Sequence, residues 1–221
     1  MGGLAPDAST GTGATLATVD LSDPGDASAA QGTFSLLAAQ LGIARTQLGA
    51  ALLSVGGILA VGGAALLVND DTAETIDAGL GAFAPTANTM SVPRAAASAT
   101  VLPDGRVFIV GGAGYPATAD IYDPTTNSFS SVPLPVPAAN QALATLKSGR
   151  VMLAGGQSAG GFLGTVLVFD PVTQQFSTAS GTLNPPRVLA TATTLPDGRV
   201  IIAGGQNGAG FIVPAVDIFT E

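Results

Sequence analysis

Residues 94–112 read RAAASATVLPDGRVFIVGG, and residues 187–205 read RVLATATTLPDGRVIIAGG. A third copy at 138–156 reads AANQALATLKSGRVMLAGG, and a worn fourth at 45–63 reads RTQLGAALLSVGGILAVGG. The copies close on Gly62-Gly63, Gly111-Gly112, Gly155-Gly156 and Gly204-Gly205, spaced by 49, 44 and 49 residues. Self-similarity at such a period marks one supersecondary unit used several times. Each copy holds two apolar runs joined by a tight turn: Pro103-Asp104-Gly105, Lys147-Ser148-Gly149 or Pro196-Asp197-Gly198. Asp-Gly between apolar runs signals a β-hairpin, because glycine supplies the positive φ that the turn needs. The first strand is expected over 96–102 and 190–195, and the second over 107–110, 151–154 and 200–203. A third is expected over 119–122, 166–169 and 215–219, and a fourth around Phe83, Phe129 and Phe176. An Asp stands six residues before each of those phenylalanines, at Asp77, Asp123 and Asp170.

Four-stranded antiparallel sheets at a period near 50 residues imply an all-β fold, a β-propeller. The unit boundaries divide the chain into 1–44, 45–93, 94–137, 138–186 and 187–221. The first segment is expected to be a partial blade: Gly2-Gly3 would end a second strand, with a third at Val19–Leu21 and a fourth at Phe34-Ser35. Residues 45–93 form a degenerate blade, with Val55-Gly56-Gly57 at the turn and Ile76 where other units have an aromatic. The last segment supplies three strands. Three complete blades with partial ones at both ends leave two arrangements. One is an open arc of a larger propeller. The other is a small four-bladed ring whose last blade takes the strand near Phe34 as its fourth. An open arc exposes apolar edges and invites edge-to-edge self-association.

The pattern R-x-x-x-x-x-x-x-L-P-D-G-R-V-x-x-x-G-G, followed by I-Y-D-P-T-T-N-x-F, resembles bacterial kelch repeats, as in the propeller domain of galactose-oxidase-like proteins. The likeness covers nearly the whole chain. The glycine pairs, the third-strand aromatics Tyr122, Phe169 and Phe219, and the fourth-strand Phe129 and Phe176 fit the motif. Phe stands where many kelch repeats have Trp. The resemblance implies a kelch-type propeller in a bacterial protein, secreted or on the cell surface. A galactose-oxidase-type copper radical site needs histidine ligands and a Tyr–Cys cross-link. The chain has no His and no Cys, so that activity does not carry over.

Composition narrows the functional classes further. The 221 residues are 47% hydrophobic and only 10% charged, with 30 Gly and 15 Pro, a profile of short strands and tight turns. Without Cys or His there is no disulfide framework, no Cys- or His-based metal site and no Ser-His triad. No cofactor is implied. Acidic residues outnumber basic ones 15 to 7, and residues 1–44 hold no Lys or Arg, which argues against a nucleic-acid partner. The N-terminal MGGLAPDAST lacks the basic and apolar regions of a secretory signal. Residues 46–68 carry no charge and are long enough to suggest a membrane span. The repeat register favours a blade instead: Arg45, Leu53 and Gly62-Gly63 match Arg94, Leu102 and Gly111-Gly112 at a constant offset of 49.

The repeats also align the chain against itself. Units that begin with Arg45, Arg94 and Arg187 carry Glu74, Asp120 and Asp217 on the third strand, whereas the unit beginning with Ala138 has Leu167 there. Joint presence and joint loss predict a structural Arg–carboxylate pair within each blade, because a half-buried charge is costly without its partner. An arginine ring for an anion is the functional alternative. Asp20, Asp23 and Asp26, and Asn69-Asp70-Asp71, read as turn formers without calcium-loop spacing. Loops over 113–118, 157–164 and 206–214 vary most in length. Their Tyr115, Gln157, Phe162, Gln206, Asn207 and Phe211 are the candidate binding residues, since recognition is carried by loops on rigid sheets. The expected function is a noncatalytic scaffold that recognises a protein or glycan. The alternatives are the propeller part of a carbohydrate-active or oxidase-like enzyme with catalytic residues elsewhere, and a membrane-anchored protein using residues 46–68.

Overall fold

The computed structural model describes residues 4–6, 13–15, 20–23, 33–65 and 68–221; these are all β, with no helix among them. Four short strands come first: β1 (Leu4–Pro6) pairs with β2 (Gly13–Thr15), and β3 (Asp20–Asp23) with β4 (Thr33–Leu36). The first blade comprises β5 (Gly49–Leu52), β6 (Ile58–Val61), β9 (Ala73–Ile76) and β10 (Ala84–Pro85). A ribbon of β7 (Ala64–Ala65) and β8 (Val68–Asn69) lies in its second loop. The second blade is β11 (Ala97–Val101), β12 (Val107–Gly111), β13 (Thr118–Asp123) and β14 (Ser128–Pro133). The third is β15 (Ala142–Thr145), β16 (Val151–Ala154), β19 (Thr165–Asp170) and β20 (Gln175–Thr182), with a loop ribbon of β17 (Gln157–Ser158) and β18 (Gly161–Phe162). The fourth has three strands: β21 (Thr191–Thr194), β22 (Val200–Ala203) and β23 (Val216–Phe219).

Together the four antiparallel sheets form a four-bladed propeller. Period-2 alternation sends neighbouring residues of each strand to opposite sheet faces, so both faces of a middle blade must be apolar. The first and second blades share Leu59, Val61, Val107, Ile109 and Tyr122. The second and third share Phe108, Ile121, Val151, Leu153 and Phe169, with the Phe108 and Phe169 rings stacked at 4.5 Å. The third and fourth share Met152, Val166, Val168, Val200 and Ile202. One apolar residue stands four places before each unit start: Leu41, Met90, Leu134 and Leu183, all buried. The latter three plug the interblade cores.

Within residues 46–68 the described positions contribute β5, β6, β7 and the start of β8, and among the described residues no helix is long and apolar enough to cross a membrane. Three details differ from the sequence-based expectations. The fourth strand of the first blade is only Ala84–Pro85, beside Phe83, because proline removes a ladder donor. The strand containing Phe34 pairs with β3 and not with β23, so among the described residues the fourth blade has no fourth strand. The second loops of the first and third blades each contain a short two-stranded ribbon where only a loop is expected. Gly2-Gly3 and Val19 lie outside the described residues.

The inner strands β5, β11, β15 and β21 line an open hollow of about 730 Å³. Its wall is small and neutral: Ala50, Ser98, Thr100, Ala144, Thr145 and Ala192. Thr100 and Thr145 share a hydroxyl hydrogen bond of 2.9 Å, and the Thr194 hydroxyl donates to the Thr145 carbonyl at 2.6 Å. Consecutive inner strands pack against one another from β5 to β21, but no comparable packing joins β21 back to β5.

Candidate functional site

At one rim of the propeller, each of the three arginine-led units buries its guanidinium completely. Arg94 donates from Nε to Asp120 Oδ2 at 2.8 Å, from Nη1 to the Gly111 carbonyl at 2.8 Å and from Nη2 to the Thr118 carbonyl at 2.7 Å. Asp120 is fully buried and also accepts the Ser91 N–H at 2.9 Å. Arg45 pairs with Glu74 at 2.7 Å, and Glu74 accepts the Gly42 N–H at 2.6 Å, the same arrangement one unit earlier. Asp70 adds a second carboxylate 3.4 Å from Arg45 and accepts the Thr72 N–H in its turn. Arg187 pairs with Asp217, although its Nε finds no acceptor among the described residues. In the remaining blade Ala138 and Leu167 are both buried, so an apolar pair replaces a charged one. The carboxylates neutralise the arginines and leave no free cationic ring. These pairs tie the start of each unit to the second and third strands of its own blade.

The glycine pairs connect the blades on the same rim. The Gly63 N–H donates to the Arg94 carbonyl at 2.7 Å, and the Gly156 N–H to that of Arg187 at 2.9 Å. Gly62 has φ +62°, and a Cβ there would lie 2.3 Å from the Arg94 carbonyl oxygen. Two residues after each unit start, Gln47, Ala96, Asn140 and Leu189 all adopt φ between +54° and +58°. None is glycine, so each holds a conformation that L-residues adopt rarely. The turn is used: the Ala96 N–H donates to the Gln47 carbonyl, and the Leu189 N–H to that of Asn140. Sequence inspection misses these positions because Gln, Ala, Asn and Leu share no turn signature.

The candidate binding residues lie on the second-to-third-strand loops of this rim. Tyr115 sits half-buried at φ +54°. Gln157 pairs across its ribbon with Phe162, and both are half-buried. The fourth blade's loop is different. Gln206 bridges Val188 and Ile212, so Phe211 is pushed out and is 70% exposed, with Ile212 beside it at 75%. Phe162 and Phe211 stand at the same distance from their glycine pairs, yet one packs and the other projects. Asn207 fixes the projecting loop: its Oδ1 accepts the Ala209 and Phe211 N–H groups, each at 3.1 Å. Its backbone N–H donates to the Phe211 carbonyl at 3.0 Å.

On the opposite rim, the strand-one turns carry Arg–Asp pairs. Arg106 binds Asp104 and reaches across to the Pro171 carbonyl of the next blade at 2.9 Å. Arg150 reaches Glu221 at 2.6 Å from the equivalent place, also in the next blade. Arg199 pairs with Asp197 in its own turn. Burial raises the Asp104 carboxyl pKa, but hydrogen bonds and charge from Arg106 outweigh it and hold the group below its ordinary value. The Arg199 hydrogen bond lowers Asp197 likewise. Asp123 is held down by the hydroxyl and N–H of Thr125. Burial pushes the Tyr122 phenol up, and its hydroxyl donates to Asn127 at 2.8 Å.

No protein-family model matches this chain, and no curated protein matches it.

Proposed function

We propose that this protein is a noncatalytic recognition scaffold of kelch type, which binds a protein or a glycan through the loops of its glycine-pair rim. The observation that carries the reading is the loop at 206–213. It presents Phe211 and Ile212 to solvent on a turn already ordered by Asn207. An aromatic on a pre-ordered loop loses little conformational freedom when it contacts a partner. The propeller beneath it is a rigid support, consistent with the way binding loops are mounted on sheets. The reading as the propeller part of a carbohydrate-active or oxidase-like enzyme whose catalytic residues lie outside this chain ranks second, because Glu74, Asp120 and Asp217 of this rim are committed to arginines and contribute no free carboxylate to such a site. A screen of immobilised glycans and of candidate protein partners, run with the wild type and with Phe211→Ala, tests the proposal. Binding that falls at least tenfold in Phe211→Ala supports it. Binding that is absent from the wild type, or unchanged in the variant, removes it.

A further inference from the structure

The rim opposite Phe211 repeats one contact at successive blade junctions. Between the second and third blades, Arg106 Nε donates to Asp104 at 2.8 Å and Nη2 to the Pro171 carbonyl at 2.9 Å. Asp123, held down mainly by Thr125, also feels the Arg106 charge. Between the third and fourth blades, Arg150 reaches across to Glu221 at 2.6 Å. A guanidinium thus closes both junctions.

The junction of the first and second blades has the same frame but no arginine of its own. Its strand-one turn is in register: the Leu53 N–H donates to the Gly57 carbonyl at 2.7 Å, as the Leu102 N–H does to that of Arg106 at 2.8 Å. By that register Gly57 stands at the place of Arg106, Val55 at Asp104, Asp77 at Asp123 and Pro124 at Pro171. With Ile76 and Asn127 these residues line a cavity of about 280 Å³. No side chain can enter it from position 57, because a Cβ there would lie 2.3 Å from the Ile76 carbonyl oxygen. Two acceptors remain. Asp77 accepts the Gly79 N–H through one oxygen at 3.0 Å and forms no ion pair among the described residues. The Pro124 carbonyl accepts no hydrogen bond among the described residues.

We infer that this cavity is a socket for a guanidinium group, supplied by an arginine side chain of a partner protein. The repeat identifies the group, because the same frame at the next junction holds the chain's own Arg106. Asp77 supplies the charge that Val55 withholds at the place of Asp104. A fork of donors can meet the Asp77 carboxylate and the Pro124 carbonyl together, whereas an ammonium is a single point charge. Val55 is 72% exposed and gives the mouth an apolar surface, which suits the methylene stem of arginine. The net charge of −8 favours the approach of a cation. A free arginine would bring its own carboxylate to this acidic surface, so a side chain within a peptide fits better. The socket does not depend on the recognition loop of Phe211, which lies on the other rim.

Titration of the isotope-labelled protein with N-acetyl-arginine methylamide, followed by amide chemical shifts, tests this. Shifts are expected around the cavity, at Gly57, Asp77 and Asn127, with an affinity in the roughly millimolar range for so small a probe. The matched acetyl-lysine methylamide is expected to bind several-fold more weakly. Asp77→Asn is expected to weaken arginine binding roughly threefold, as for an ion pair open to solvent. Val55→Arg, on the exposed turn, is expected to abolish it, because a tethered guanidinium then competes for the socket. The spectra themselves show whether both variants stay folded, and the comparison of the two probes on the wild type needs no variant. Absence of shifts at the cavity overturns the inference. So does equal binding of the lysine probe, or arginine binding that neither substitution changes. Tighter binding of free arginine than of the blocked probe also overturns it, since the ligand is then a small molecule and not a partner's side chain.

Discussion

Arg94 has no exposed surface, and its charge is tolerated because Asp120, equally buried, meets it and two backbone carbonyls take its remaining donors. Burying either charge alone is expensive, since desolvation is then uncompensated. Arg94→Ala is therefore expected to lower stability by roughly 3–5 kcal/mol, and Asp120→Leu by a similar amount. The double variant is expected to cost clearly less than the two losses combined, with a coupling near the upper end of about 0.5–3 kcal/mol. The third blade motivates this, because Ala138 and Leu167 occupy those two positions there, buried and without a charge. Urea unfolding of the two single variants and the double variant checks it. Additive losses would show that Arg94 and Asp120 act independently, despite a contact of 2.7 Å.

At the scale of the element, the glycine pair sets how closely one blade approaches the next. Gly62 and Gly204 both hold left-handed backbone, at φ +62° and +69°. An added Cβ at Gly62 would meet the Arg94 carbonyl at 2.3 Å, whereas at Gly204 it would meet nothing within 4 Å. Gly204→Ala is expected to bear only the left-handed penalty, roughly 1–2 kcal/mol. Gly62→Ala is expected to cost about 1–3 kcal/mol more, because the neighbouring blade must move. Thermal unfolding of the two variants side by side measures the difference, and equal losses would refute the close-approach account. The glycines, the Asp-Gly turns and the period are visible in sequence, because each imposes a local backbone requirement that few other residues meet. Arg and acid are visible for a related reason: a fixed period brings fixed places together on neighbouring strands. Features that depend on neighbours rather than on local preference are hidden. The opposite fates of Phe162 and Phe211 follow from where Gln157 and Gln206 find their cross-loop partners, Phe162 and Ile212. The left-handed residues at 47, 96, 140 and 189 are held by hydrogen bonds between blades, which no single segment encodes.

The whole molecule is acidic, with a formal charge of −8 and no histidine or cysteine. No side chain with an ordinary pKa between about 5 and 8 is present, so stability is expected to be nearly flat across that range. Below it, the carboxylates decide the outcome. Asp104, Asp123 and Asp197 have folded pKa values below the reference of 3.8, so the unfolded chain takes up protons first as pH falls. Their contribution is complete above the unfolded value and is lost as pH drops through the folded values. Stability is thus expected to decline below about pH 4, and unfolding midpoints in urea at pH 7, 5, 4 and 3 check it. A rise in stability between pH 4 and pH 3 would contradict the assignment.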